Sequence, residues 1–171
     1  PPEDAPDAPA AWQYGYGHYD TDAKQVRFTA LPHFVGDVWQ GGLVWPSGRP
    51  NYVKISARGG HPGSTREHAA IRRWTSPVSG TIKISGTVQH LRAEGDGVVA
   101  QVVSSRHGML GTWPLHLRSA EAAFPQLTVA QGDTLDFIVD MGGTAVRDDF
   151  EWMPKIALTT AEATEWSAEQ Q

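Results

Sequence analysis

The sequence predicts an all-β fold: an antiparallel β-sandwich of the jelly-roll kind with about nine strands. Three observations predict it. Short runs of β-branched and aromatic residues recur along the 171 residues, separated by turn signals every 8–12 residues or so. Gly (18) and Pro (12) supply those turns. Helical periodicity is scarce, so no helices intervene to build a parallel sheet.

The elements follow in order. Residues 1–10, rich in Pro, Ala and acid, read as an extended linker, as if the domain belonged to a longer chain. The sandwich is expected over 11–159, and 160–171 as a tail, either the best helical candidate or a second linker. Gln25 to Leu31 reads as a strand. Val38 to Trp45 reads as another, interrupted by Gly41-Gly42. Tyr52 to Ala57 alternates cleanly, and Gly59-Gly60-His61-Pro62-Gly63 reads as loop. Ala70 to Thr75 leads to a turn, then Thr81 to Val88 carries Ile82, Ile84 and Val88 on one face. Val98 to Ser104 reads as a central strand, followed by Thr112 to Arg118 and Leu127 to Val129. Thr134 to Asp140 places Leu135, Phe137 and Val139 inward, with Asp136 and Asp140 outward. Trp152 to Thr159 closes the set.

Composition removes several function classes. The net charge of -5, with no Lys/Arg run, gives no electrostatic attraction to nucleic acid. No apolar run approaches the ~18 residues of a membrane span. The chain has no Cys, so no disulfide, thiolate metal site or cysteine nucleophile is available. The seven His lack the i, i+2 or i, i+4 spacing of a paired metal site. Asp136 and Asp140 share one strand and define no glycosidase pair, and no nucleophile elbow or phosphate loop occurs. Structural calcium stays open, with Asp20 and Asp22, Glu94 and Asp96, or Asp148 and Asp149 as oxygen donors.

What remains is an aromatic excess: 7 Trp, 4 Tyr and 5 Phe. Trp74, Trp113 and Trp152 are expected in the core. Tyr14, Tyr16, Tyr19, Trp39 and Trp45 stand beside glycines or in loops, as a platform for a sugar ring requires. His61 and the Arg72-Arg73 pair would supply the polar contacts to hydroxyls. The first reading is therefore a non-catalytic carbohydrate-binding module. The same rings buried against a neighbouring domain would instead make a structural or docking domain. A metal-dependent enzyme acting on polysaccharide is the third reading, and tightly bound transition metal would be its mark.

The stretch Trp12 to Asp20, Trp39-Gln40-Gly41-Gly42, Gly59 to Gly63, Ile71 to Pro77 and Gly132 to Phe137 together resemble an accessory module of large secreted planctomycete cytochrome-c-like proteins. The likeness covers roughly Ala11 to Thr159 and is similar, more generally, to jelly-roll carbohydrate-binding modules. It implies a β-sandwich in an extracytoplasmic multidomain protein, with the other domains of that chain as partners. Haem chemistry is not implied, because no Cys is present to attach a haem.

Overall fold

The computed structural model describes residues 11–159 and 165–167, the side chains of 165 and 166 excepted. Among them are seventeen strands, one 3-10 turn at Arg66–His68 and no α-helix. The strands are β1 (Trp12–Asp20), β2 (Gln25–Ala30), β3 (His33–Val35), β4 (Val38–Gln40), β5 (Lys54–Ser56), β6 (Gly59–His61), β7 (Ala69–Thr75), β8 (Gly80–Ser85) and β9 (Thr87–His90). They continue as β10 (Val98–Ser104), β11 (Gly108–Leu115), β12 (Ser119–Glu121), β13 (Phe124–Val129), β14 (Thr134–Met141), β15 (Phe150–Trp152), β16 (Lys155–Leu158) and β17 (Glu165–Ser167). The expected linker at 1–10 lies outside the described residues, as does most of the tail.

All strand pairings are antiparallel. A six-stranded sheet runs β11-β10-β14-β7-β1-β2. Opposite it lie a seven-stranded sheet, β12-β9-β15-β6-β5-β4-β3, and a four-stranded sheet, β13-β8-β16-β17. The last two form one bent layer, because β8 runs into β9 through Gly86 and β15 into β16 through Met153-Pro154. Gly86 sits at φ 141°, and a Cβ there would lie 3.1 Å from both the Met153 carbonyl oxygen and the Pro154 Cα. The two bends abut, which only glycine allows.

The interior between the layers is continuous. Trp12, Trp74, Leu135 and Phe137 of the six-stranded sheet meet Ile82, Ile84, Val88, Phe150, Trp152 and Ile156 of the bent layer. Phe137 joins the two, with its ring 5.7 Å from that of Trp12 and edge-on to Trp152 at 5.4 Å. Apolar burial on this scale is the main driving force of the fold, at about 25 cal/mol per Å².

The all-β sandwich expected from the sequence is present, with more strands than nine. Trp74 and Trp152 are buried, and Trp113 packs half-buried against Phe124. Four local expectations are corrected. Thr81 to Val88 is two strands in two sheets, divided at Gly86. The tail carries a strand, β17, paired to β16, where a helix was the best candidate. Val38 to Trp45 is a strand only to Gln40. Gly59-Gly60-His61 is strand, not loop, because backbones press in from both sides. A Cβ on Gly59 would stand 1.9 Å from the Phe150 oxygen and one on Gly60 2.2 Å from the Lys54 oxygen.

Candidate functional site

The site grows from one arm of the seven-stranded sheet, β3-β4-β5-β6. Cross-strand register puts Phe34, Trp39, Ile55 and Gly60 in one row, and Ile55 is in the core. The flanking row, Gln40, Lys54 and His61, therefore faces away from the core. What covers that row is the loop from Gly41 to Tyr52.

The glycine pair lets this loop fold back on itself. A Cβ on Gly41 would lie 2.6 Å from Pro50, and one on Gly42 2.1 Å from the Ser47 hydroxyl. The Gln40 side-chain amide donates to the Gly42 carbonyl at 2.9 Å, tying down the loop's start. The Trp45 indole N–H donates to the Tyr52 carbonyl at 3.1 Å, which anchors the returning ring.

Three rings thereby meet. Trp45 stands edge-on to Tyr52 (6.0 Å) and to His61 (6.3 Å), and Tyr52 lies 6.2 Å from His61. The Lys54 ammonium sits 4.0 Å from the centroid of the Trp45 ring, a cation–π contact. Together they line an open cavity of about 600 Å³, whose far wall is Arg92 and the loop segment 145–149. A smaller cavity of about 280 Å³ adjoins it, with Lys54 and Asp149 lining both.

Each wall is held from behind. Asp96 accepts from the backbone of Gly143 and Thr144, which keeps its carboxyl below the usual carboxylate range and pins the start of the far loop. Arg147 adopts φ 56°, and its carbonyl accepts from Nε2 of the buried His90 at 3.0 Å. Arg92 pairs with Asp149 at 3.4 Å. Burial lowers His61 below the usual imidazole range, against the opposing hydrogen bond to Pro62, so its ring is neutral at pH 7. The cavity thus offers aromatic surface, a neutral imidazole, three cations, one carboxylate, the Ser64 hydroxyl and the apolar side chains of Ala145 and Val146.

A second aromatic cavity, about 500 Å³, opens at the other side of the same arm. Trp39 stacks on Tyr14 (6.1 Å, 13°) and meets Phe34 at 5.1 Å, with Asp37 and Arg58 at the mouth. Phe34 is 56% exposed.

The eight residues singled out in the sequence do not form one platform. Trp45 and His61 come together. Trp39 is separated from them, because odd and even positions of β4 and β5 face opposite sides. Tyr14 is a core residue, 9% exposed, and burial pushes its hydroxyl up to about 12. Tyr16 sits half-buried on β1 against His68 (5.5 Å), and Tyr19 packs beside Ile71 and Ile138 on the outer face of the six-stranded sheet. Arg72 is 3% exposed and binds backbone carbonyls across the sandwich, so it cannot meet a ligand in solvent. Arg73 is held in a two-pronged ion pair with Asp136 (2.8 and 2.9 Å) and lies over Phe28. Asp136, expected outward, is buried because this pair closes over it.

The acid pairs fare likewise. Asp20 accepts from the backbone of Asp22 and Ala23 and pairs with Arg27. Asp96 and Asp149 are engaged as described, and Asp148 turns inward. Among the described residues no group of three or more His, Cys, Asp or Glu could hold a metal ion.

Tyr52, Lys54, Arg92 and Arg147 were missed as site residues, and Asp149 was named only as a calcium donor. Tyr52 and Lys54 were within reach, since the alternation from 52 to 57 puts both opposite Val53 and Ile55. The other three arrive from distant loops and leave no local signal.

No protein-family model matches the chain, and no curated protein does either. Among solved structures, a PA14 sugar-binding domain from an RTX adhesin covers 70% of this chain and 77% of its own, at 8% identity and a TM-score of 0.38. A PA14 domain of the MpAFP antifreeze protein covers 98% of this chain and 92% of its own, at 11% identity and a TM-score of 0.39. Likeness at this level assigns nothing, and the chemistry of the cavity must speak for itself.

Proposed function

We propose that this domain is a non-catalytic carbohydrate-binding module, and that a polysaccharide segment lies in the cavity of Trp45, Tyr52 and His61. One observation carries the reading: three rings line an open cavity of about 600 Å³ whose remaining wall sets Lys54, Ser64, Arg92, Arg147 and Asp149 beside Ala145 and Val146. A sugar residue has apolar C–H patches and a rim of hydroxyls, and needs that combination. Trp45 is held by its indole hydrogen bond and Tyr52 by its place next to β5, so little rotamer freedom remains to be lost on binding. The planctomycete resemblance adds a setting, an accessory module of an extracytoplasmic multidomain protein.

Affinity should be modest, around 10 µM to 1 mM, or ~4–7 kcal/mol. The test is calorimetry against a polysaccharide panel. Tyr52→Ala and Trp45→Ala should each weaken binding roughly 3–10-fold, the worth of an aromatic contact. Phe34→Ala, in the other cavity, should leave it unchanged. Binding that survives both cavity variants removes this site, and a panel with no binder removes the reading.

A docking role is the second reading, favoured by one specific feature. Phe34 and Val35 are exposed beside the Tyr14–Trp39 cavity, and apolar residues left in the open at a sheet edge suit a neighbouring domain. Phe34→Ala separates the two readings, since it would weaken docking and not glycan binding.

A further inference from the structure

We infer that the polysaccharide held in the Trp45 cavity is an acidic one, bound through a carboxylate or sulfate group by Lys54, Arg92 and Arg147. This deepens the carbohydrate-binding reading and rests on it.

Charge placement carries the inference. The whole chain has 14 Lys and Arg against 19 Asp and Glu, and a net charge of -5. Three of those 14 cations line this one cavity, and a single acid, Asp149, stands among them. Only Arg92 is paired to it. Among the described residues neither Lys54 nor Arg147 makes an ion pair. The Phe34 cavity, by contrast, is balanced, with Asp37 facing Arg58. Two cations without a carboxylate partner thus line one cavity of an acidic protein, and an anion bound there would be attracted by both.

Hydrogen-bonding character agrees. Neutral sugar hydroxyls both donate and accept, so a site for them needs side-chain acceptors as well as donors. The cavity has no Asn or Gln, and Asp149 is its one carboxylate acceptor. Lys and Arg only donate, five N–H from each guanidinium and three from the ammonium. A ligand rich in acceptors fits that set, and a carboxylate or sulfate is such a ligand. The Lys54 ammonium lies against the Trp45 ring, so an acidic group bound there brings its sugar next to the aromatic surface.

Matched polymers test this in the full chain. Polygalacturonate is compared with its methyl-esterified form, and a sulfated galactan with the desulfated galactan. The charged member of at least one pair should bind about 10-fold or more tighter than its neutral partner, and which pair does so identifies the anion. Lys54→Gln and Arg147→Gln should each lower that affinity at least ~5-fold, the scale of a charge-assisted hydrogen bond. Lys83→Gln, exposed on β8 and lining none of these cavities, should not. Raising NaCl from 20 to 500 mM should weaken binding of the charged polymer and not of a neutral one. Neutral and charged members bound equally would overturn the acidic assignment while leaving the glycan reading intact. A Lys83→Gln loss equal to that of Lys54→Gln would overturn the site in favour of diffuse attraction. Binding of no polymer at all would remove both.

Discussion

Replacing Arg72 by alanine is expected to cost the fold about 3–5 kcal/mol, enough to unfold a large fraction of a domain of ordinary stability. Arg72 lies on β7 between Tyr14 of β1 and Phe137 of β14, so its side chain points into the sandwich. Its guanidinium reaches the opposite layer, donating to the Trp152 carbonyl and, through Nη2, to those of Ser56 (2.7 Å) and Gly59 (3.2 Å). One side chain therefore joins β7 to β15 and to both ends of the turn between β5 and β6. Among the described residues no carboxylate is paired with it. Burial lowers its pKa to about 10, which still leaves it charged at pH 7. Truncation removes donors from three carbonyls and leaves a cavity as well. Arg72→Lys keeps the charge but loses the planar fork, and a single ammonium cannot reach the carbonyls of β5, β6 and β15 in the same way. It should recover only part of the loss. Urea denaturation at pH 7 measures both variants, and an Arg72→Ala loss below about 1 kcal/mol would sink this account of the clamp.

The same position shows how much could be read from the sequence. Trp74 is a core residue by type, and alternation on one strand then sends Arg72 inward and Arg73 outward. Treating the two arginines as a pair ignored that parity. The central strands were legible for different reasons: Val98 to Ser104 is a nearly continuous apolar run, and Thr134 to Asp140 alternates with Leu135, Phe137 and Val139 inward. Gly59-Gly60 was not legible as strand. Its reason, close backbone approach from β5 and β15, exists only once the sheet has formed. Half of the site was within reach, since Tyr52 and Lys54 share a face and Trp45 and His61 were already candidates. Arg92, Arg147 and Asp149 were out of reach, because loops of different sheets bring them together and no periodicity links them.

Asp148→Asn is expected to stabilise the protein by about 2–4 kcal/mol at pH 8 and by little at pH 4.5. Asp148 is fully buried, and neither of its oxygens has a hydrogen-bond partner. The nearest cationic candidate, Nε2 of His90, is 3.9 Å away and already donates to the Arg147 carbonyl. Nδ1 of the same ring accepts the Leu117 N–H at 2.9 Å. An imidazole that donates at one nitrogen and accepts at the other is neutral, so it offers Asp148 no countercharge. Burial, and after it the charges of Asp96, Asp149 and Asp140, raise Asp148 to about 7. In the unfolded chain an Asp titrates near ~3.9. Between those values the native state holds more protons than the unfolded one, so stability falls as pH rises from about 4 to 7. Above 7 the full penalty applies, and at ~1.36 kcal/mol per unit it amounts to a few kcal/mol. Asparagine has nearly the same shape and no charge to bury, and so escapes it. Burial also raises Asp136 and Asp140, and both slope the wild-type profile the same way. The difference between variant and wild type cancels the contribution of Asp136 and leaves Asp148 with its electrostatic coupling to its acidic neighbours, Asp140 among them. Urea midpoints at pH 4.5 and pH 8 provide the check: a gain equal at both pH values, or absent at pH 8, would show that Asp148 is solvated or paired in the native protein. Because Asp148 lies between Arg147 and Asp149, its ionisation would also strain the loop that carries both to the cavity. Binding of an acidic glycan by wild type should therefore weaken above pH 7 more than binding by Asp148→Asn.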